Sequence, residues 1–370
     1  MRKIDYNGAI SNKGNNARIK AVMERAGRGE KITLAFLGGS ITQGSVSTKP
    51  ELCYAYRVYK WWCETFPNAD FTYVNGGVGG TTSQFGVARV DNDILSYDPD
   101  FVIIEFSVND DGVEHFKETY EGLVRKVYNS HKKPAVMIVH NVCYDNGANA
   151  QIVHAAVARH YGIPAVSMQS TIYPALLSGE ILNREITPDD LHPNDEGHEL
   201  VASVITYGLE KIMESPADKE DEVFPEPITA NAYEDSTRYQ NYNCNPLCSG
   251  FEADISKQKT ITDCFKGGWT ASKIGDSITF EIVGSCIGVQ FRKSVKLPAP
   301  VAELTIDDDE SNRITLNANF DETWGDKLEL YTVAEHIAKG KHKLTIKITE
   351  AHDNDAVPFY LVSVIGSGRQ

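Results

Sequence analysis

Long apolar runs are missing from this chain: no stretch approaches the ~20 consecutive apolar residues that span a bilayer, so the sequence has no candidate membrane-spanning helix. Basic charge is scarce as well. Lys and Arg number 36 against 51 Asp and Glu, a formal net charge of -15. That balance disfavours nucleic acid and anionic membrane surfaces as partners. It suits a neutral substrate, such as a sugar or an uncharged ester. The opening residues, MRKIDYNGAISNKGNN, have a short basic start and no apolar core. No signal peptide is therefore expected, and a cytoplasmic location is. Cysteine offers no framework. The count of seven is odd, no CxxC occurs, and Cys244 and Cys248 have no following pair at zinc-finger spacing. Free thiols and no metal are the expectation. Internal repeats and low-complexity tracts are also absent.

What is present is a chain of 370 residues, 41% hydrophobic and 24% charged, a length that suits two domains. Up to about residue 215, strand and helix patterns alternate. Helices are predicted over 15–27 (NNARIKAVMERAG, with an Asn cap and a Gly stop), 54–66, 83–95, 115–130 and 149–160, with a last one after DLHPNDEGH. Between them lie apolar strands at 32–37, 71–74, 101–106, 135–139 and 164–168. Nearly continuous apolar strands alternating with helices indicate a parallel sheet covered on both faces. From Pro216 the texture changes: ESPADKEDEVFPEP is charged and Pro-rich, and residues 216–240 read as a linker. From 241 to 370, period-2 runs such as SITFEIV, CIGVQFRK, HKLTIKI and FYLVSVIG take over. They predict an all-β sandwich or jelly roll.

In an open α/β sheet, sites form beyond the carboxyl ends of the strands. The first strand runs into Gly38-Gly39-Ser40, the second into NGGVGGTT, and the third into SVNDD with Asn109. Near the end of the first domain, DDLHPND carries Asp189 and His192. Acyl transfer needs a nucleophile, a base, a group that orients the base, and donors for an oxyanion. Ser40 fits the nucleophile and His192 the base, and Asp189, three residues earlier, can aim a carboxylate at the imidazole. The Ser40 and Gly80 N–H groups and the Asn109 amide fit the oxyanion donors. Bare backbone at Gly80 permits close approach.

GGSIT is not a Gly-x-Ser-x-Gly elbow, because Thr42 stands where the second glycine belongs. Taken in order, however, GGSIT, NGGVGGTT, SVND and DDLHP resemble the blocks of the SGNH (GDSL-like) hydrolases. Ser40, Gly80, Asn109, Asp189 and His192 fall on the family's positions over residues 32–210. GGS in place of the usual GDS is the one departure. The resemblance implies a flavodoxin-like three-layer α/β/α domain with five parallel strands over residues 1–215, working without a cofactor. The segment 241–370 is similar to the carbohydrate-binding β-sandwiches that accompany carbohydrate esterases. Together these features resemble the acetyl-mannan esterases of gut Firmicutes. They imply a serine esterase that removes O-acetyl groups from polysaccharide or oligosaccharide substrates. Rival readings are a lipase or thioesterase on the same fold, or a catalytically silent glycan-binding protein.

Each residue also has a plainer reading. Ser40 would be a helix cap, and His192 a loop histidine satisfied by backbone. His198 reads as a packing or surface residue of the last helix. Asp190 competes with Asp189, while Asp110 and Asp111 read as turn and cap residues. The aromatics of YAYRVYKWWCETF read as core. Trp269 and Trp324 stand among glycines and charges, where an exposed ring could stack on a sugar; the alternative is the edge of a core. The run Asp307 to Glu310 lacks the spacing of a calcium loop and reads as a solvated turn.

Overall fold

The computed structural model describes residues 4–220 and 223–369. The chain divides into two units after Asn231, inside the stretch read as a linker. In the first unit a short strand β1 (Ile10–Asn12) precedes five further strands of one sheet. These are β2 (Lys31–Gly38), β3 (Asp70–Gly77), β4 (Phe101–Glu105), β5 (Ala135–His140) and β6 (Ala165–Ser167). The sheet order is β1-β6-β5-β4-β2-β3. The five strands from β2 to β6 are parallel. Counted from Lys31 their order is 2-1-3-4-5, the flavodoxin-like arrangement. β1 adds an antiparallel edge that the pattern analysis does not include. Three residues are too few to carry a period.

Strand residues alternate between two buried layers, which is why these strands read as continuous apolar runs. Leu34, Phe36, Ile103 and Met137 share one core with residues of α1 (Ala17–Gly27), α3 (Tyr54–Thr65) and α9 (Asp195–Glu214). Ala35, Leu37, Val102, Ile104 and Ile138 are buried on the other face. The helices α4 (Ser83–Asp93), α5 (Glu114–Tyr128) and α6 (Gln151–His160) pack in sequence with one another. Three short helices complete the unit: α2 (Ser40–Gln43), α7 (Ile172–Leu177) and α8 (Asn183–Ile186). No helix among the described residues is long and apolar enough to cross a membrane.

Two predicted boundaries move. The last helix starts at Asp195, inside DLHPNDEGH, because the Asn194 side chain takes the N–H groups of Glu196 and Gly197, both at 3.1 Å. At α1, Asn16 does not cap with its side chain. Its amide donates instead to Ser215 Oγ and Pro216 O, both at 2.9 Å, tying α1 to the end of α9. Part of the expected linker is likewise fixed. The buried Glu121 carboxylate accepts the N–H groups of Ile228 and Thr229 at 2.8 and 2.9 Å. The Phe224 ring stacks on Tyr161 with centroids 4.9 Å apart.

The second unit is a sandwich of two antiparallel sheets. Its strands are β7 (Thr237–Tyr239), β8 (Leu247–Ser249), β9 (Glu252–Ala253), β10 (Trp269–Ala271), β11 (Ser277–Gly284), β12 (Cys286–Lys293), β13 (Val301–Ile306), β14 (Ile314–Asn317), β15 (Lys327–Ala334), β16 (Gly340–Glu350) and β17 (Phe359–Ser367). One sheet runs β15-β12-β17-β10-β9, with β7 on β17, and the other runs β14-β13-β16-β11-β8. Ile278, Phe280 and Ile282 alternate inward from β11 to meet Val289, Phe291, Leu344 and Ile346. The period-2 runs of the sequence all fall on strands between β11 and β17. The four shorter strands before them carry too few residues to show a period. The acidic run forms the turn after β13. There Asp307 Oδ2 bonds His342 Nδ1 at 2.8 Å, and Asp308 pairs with Lys343. All seven cysteines are free thiols.

Candidate active site

β2 is buried from Leu34 to its end at Gly38, and Gly39 (φ -87°, ψ -149°) turns the chain into α2. Ser40 is the first residue of that helix, so its N–H has no partner within the helix. Its Oγ lies 2.8 Å from His192 Nε2. His192 Nδ1 lies 2.6 Å from Asp189 Oδ2. Asp189 Oδ1 also accepts the N–H groups of Leu191 and His192, at 3.1 and 2.7 Å. Partial burial pushes the Asp189 carboxyl up, but the imidazole and the two backbone donors outweigh it and hold the group below its ordinary value. An ionised Asp189 keeps the proton on Nδ1 and leaves the Nε2 lone pair facing the serine hydroxyl.

Asp190 does not compete for the imidazole. Arg184 takes both of its oxygens, at 2.8 and 2.7 Å, and Asn183 Nδ2 adds a third bond at 3.0 Å. Its backbone sits at φ +66°, a left-handed position that this clamp holds.

The other strand ends converge on the same serine. A Cβ built on Gly39 would meet Asn109 Oδ1 at 2.2 Å, so Asn109 lies directly against the nucleophile turn. A Cβ on Gly79 would lie 3.6 Å from Ser40 Cβ. Gly80 sits at φ +67° with open space where a side chain would stand. The loop after β3 is held by two bonds: Gly79 N–H donates to Gln43 Oε1 of α2 at 2.7 Å, and Val78 N–H to Gly38 O at the end of β2 at 3.0 Å. Asp110 is buried and accepts the Ser83 N–H at 2.9 Å, a cap delivered from another loop, while Asp111 is exposed.

Glu105, at the end of β4, was not singled out in the sequence. It is fully buried, and its Oε1 accepts the N–H and hydroxyl of Ser107, both at 3.1 Å. Burial pushes its carboxyl up to about 7 against those hydrogen bonds. A lone acid inside the apolar run FVIIEFS was the available signal. His198 is buried in α9. Its Nδ1 accepts the Tyr54 N–H and its Nε2 faces Ser45 O, each at 3.3 Å, and desolvation drops it to about 4. It is a neutral packing residue, as its place on the helix suggested.

Trp269 requires a correction. It is 2% exposed, at the start of β10, and meets Phe280 edge-on with centroids 5.3 Å apart. Its ring belongs to the sandwich core and has no face free for a sugar. Trp324 is 65% exposed, with Phe320 edge-on at 5.2 Å. Among the described residues no group of three or more His, Cys, Asp or Glu could hold a metal ion.

Comparison with known proteins identifies the family. The model of the GDSL-like Lipase/Acylhydrolase family matches residues 36–200, which contain all five residues of the site. A crystal structure of a two-domain esterase active on acetylated mannans is 64% identical, with all of both chains covered and a TM-score of 0.97. The chain belongs to the GDSL-like (SGNH) hydrolase family. It is a carboxylic ester hydrolase, with the family's α/β domain followed by an all-β domain. The same mannan esterase co-crystallised with mannopentaose matches at 64% identity over 100% of this chain and 99% of that one, TM-score 0.96. An arylesterase of Vibrio mimicus is 27% identical over 197 residues, covering 48% of this chain and 88% of that protein.

Proposed function

We propose that the protein removes O-acetyl groups from β-mannan or manno-oligosaccharides through an acetyl-enzyme on Ser40. The observation that carries the chemistry is the continuous hydrogen-bonded chain from Ser40 Oγ through His192 to Asp189. Ser40 Oγ attacks the acetyl carbonyl carbon while its proton passes to His192 Nε2. The new C–O bond leaves a tetrahedral oxyanion, facing the N–H groups of Ser40 and Gly80 and the Asn109 amide. The bond to the sugar oxygen then breaks, and His192 returns the proton to the departing hydroxyl. Water, deprotonated by His192, attacks the acetyl-enzyme, and acetate leaves as Ser40 recovers its proton. Asp189 stays ionised throughout and stabilises the imidazolium.

The substrate class is supported by the 64% identity, over the whole of both chains, to an esterase active on acetylated mannans. The net charge of -15 suits a neutral polysaccharide. In the second unit, the exposed Trp324 supplies a flat apolar face of the kind that stacks on sugar C–H groups. We assign it a carbohydrate-contacting role.

The test is acetate release from acetylated mannan and from acetylated xylan, wild type beside Ser40→Ala. Release from mannan that the substitution abolishes is expected. Turnover of long-chain acyl esters with no acetate from either polymer would favour a lipase or thioesterase. Activity that survives in Ser40→Ala would remove Ser40 as the nucleophile.

A further inference from the structure

The loop after β4 carries two neighbours that face different ways. Asn109 lies against the nucleophile turn, whereas the Asp110 side chain is turned inward with no exposure. Asp110 Oδ1 accepts the N–H of Ser83 at 2.9 Å. Ser83 is the first residue of α4, three positions beyond Gly80. Thr82, at the cap position of that helix, makes no side-chain cap bond, although threonine is a natural N-cap. The helix end is thus closed from a distant loop and not locally. Asp110 Oδ2 lies 3.0 Å from His154 Nε2, and the imidazole too has no exposure. His154 comes from α6 and stacks on Tyr120 of α5, with centroids 3.6 Å apart. A buried carboxylate is stable only when its oxygens are bonded. Here one oxygen is spent on the segment that carries Gly80 and the other on an imidazole locked by stacking.

Two oxyanion donors on separate loops stabilise one oxygen only if both lie within about 2.7–3.1 Å of it. A displacement near 1 Å costs on the order of 100-fold in rate. We propose that Asp110, held by His154, is the positioning residue that sets the Gly80 N–H and the Asn109 amide at the spacing one oxyanion requires. It touches neither substrate nor reacting atoms. This rests on the assignment of Ser40, Gly80 and Asn109 made above.

The test removes the shared N–H itself. Proline is favoured at the first position of a helix, and Thr82 before it is extended, which proline accepts. Ser83→Pro therefore deletes the bond to Asp110 and keeps the helix start. Ser83→Ala, which retains the N–H and loses only the hydroxyl bond to Thr119, is the reference. The readouts are kcat and KM on 4-nitrophenyl acetate, melting temperature, and affinity for an alkylboronic acid that forms a tetrahedral adduct on Ser40. Relative to Ser83→Ala, Ser83→Pro is expected to lose about 10- to 100-fold in kcat. KM should stay level, and boronate affinity should fall in step with kcat. Asp110→Ala should lose kcat and boronate affinity in the same way. Equal kcat in Ser83→Pro and Ser83→Ala overturns the proposal. So does a loss of kcat with boronate affinity intact. If neither Ser83→Pro nor Asp110→Ala folds, the tie is a folding element and the positioning role is rejected. Ser40→Ala separates the two levels. If it is inactive while Ser83→Pro is fully active, only the positioning role falls. If Ser40→Ala retains activity, the site assignment falls with it.

Discussion

Gly39 stands where the family's usual GDS carries Asp. With a Cβ at this position only 2.2 Å from Asn109 Oδ1, any side chain here has to push the Asn109 amide aside. Restoring the family residue should therefore harm this enzyme. Gly39→Asp is expected to lower kcat by at least about 10-fold, as a donor displaced from its place does. Steady-state kinetics on a small acetyl ester check this, and unchanged kcat would mean that Asn109 moves freely. Asn109→Ala removes the donor outright. Loss of one such donor costs about 100- to 1000-fold in kcat, with KM little changed because the charge it meets develops after binding. A rise in KM at constant kcat would instead make Asn109 a ground-state contact.

Among the elements, the carboxyl ends of β2, β3 and β4 do most to build the site, and they do so around a buried acid. Glu105 has its carboxyl raised from an ordinary value near 4.5 to about 7 by burial. The native state holds that proton more tightly than the unfolded chain does. Its contribution to stability is therefore fully present below pH 4.5 and is lost as pH rises through about 7. Glu105→Gln cannot lose the proton. The unfolding free energy of the variant relative to wild type should shift in the variant's favour by about 3 kcal/mol between those limits. Denaturant unfolding at several pH values measures the shift, and parallel pH profiles would show that Glu105 does not titrate in this range. His198 in α9 works in the opposite direction. Its neutral form is held down to about pH 4, so its contribution is present above pH 6.5 and is lost as pH falls through 4.

For the molecule as a whole, the two units differ in how openly the sequence declares them. The parallel sheet and the sandwich are both legible because central strands such as β4 and β5 are buried at every residue, whereas β11 and β16 alternate. The sandwich holds the clearest misreading. Trp269 and Trp324 have similar sequence surroundings, yet one is core and the other is exposed, because β10 pairs with β17 and turns Trp269 onto Phe280. The prediction at this scale concerns Trp324. In an inactive Ser40→Ala background, adding Trp324→Ala should weaken calorimetric binding of manno-oligosaccharides by about 1 kcal/mol, the scale of one stacked ring. Unchanged affinity would remove Trp324 from the sugar-contacting surface.

Strand-end motifs announce themselves in a sequence because each is local. A glycine pair before Ser40, a glycine cluster around Gly80, Asn109 after an apolar run, and Asp189 three residues before His192 all lie within single turns. Contacts between distant segments leave no such trace. The Asn109 side chain meets the nucleophile turn at Gly39 from 70 residues away, a contact no local motif shows. The tie from Asp110 to Ser83 and His154 spans 27 and 44 residues of chain. The burial that raises Glu105 exists only once both faces of the sheet are covered. Local backbone chemistry placed the reacting groups at the strand ends, and only packing between distant segments determined which of them face one another and which are held in reserve as supports.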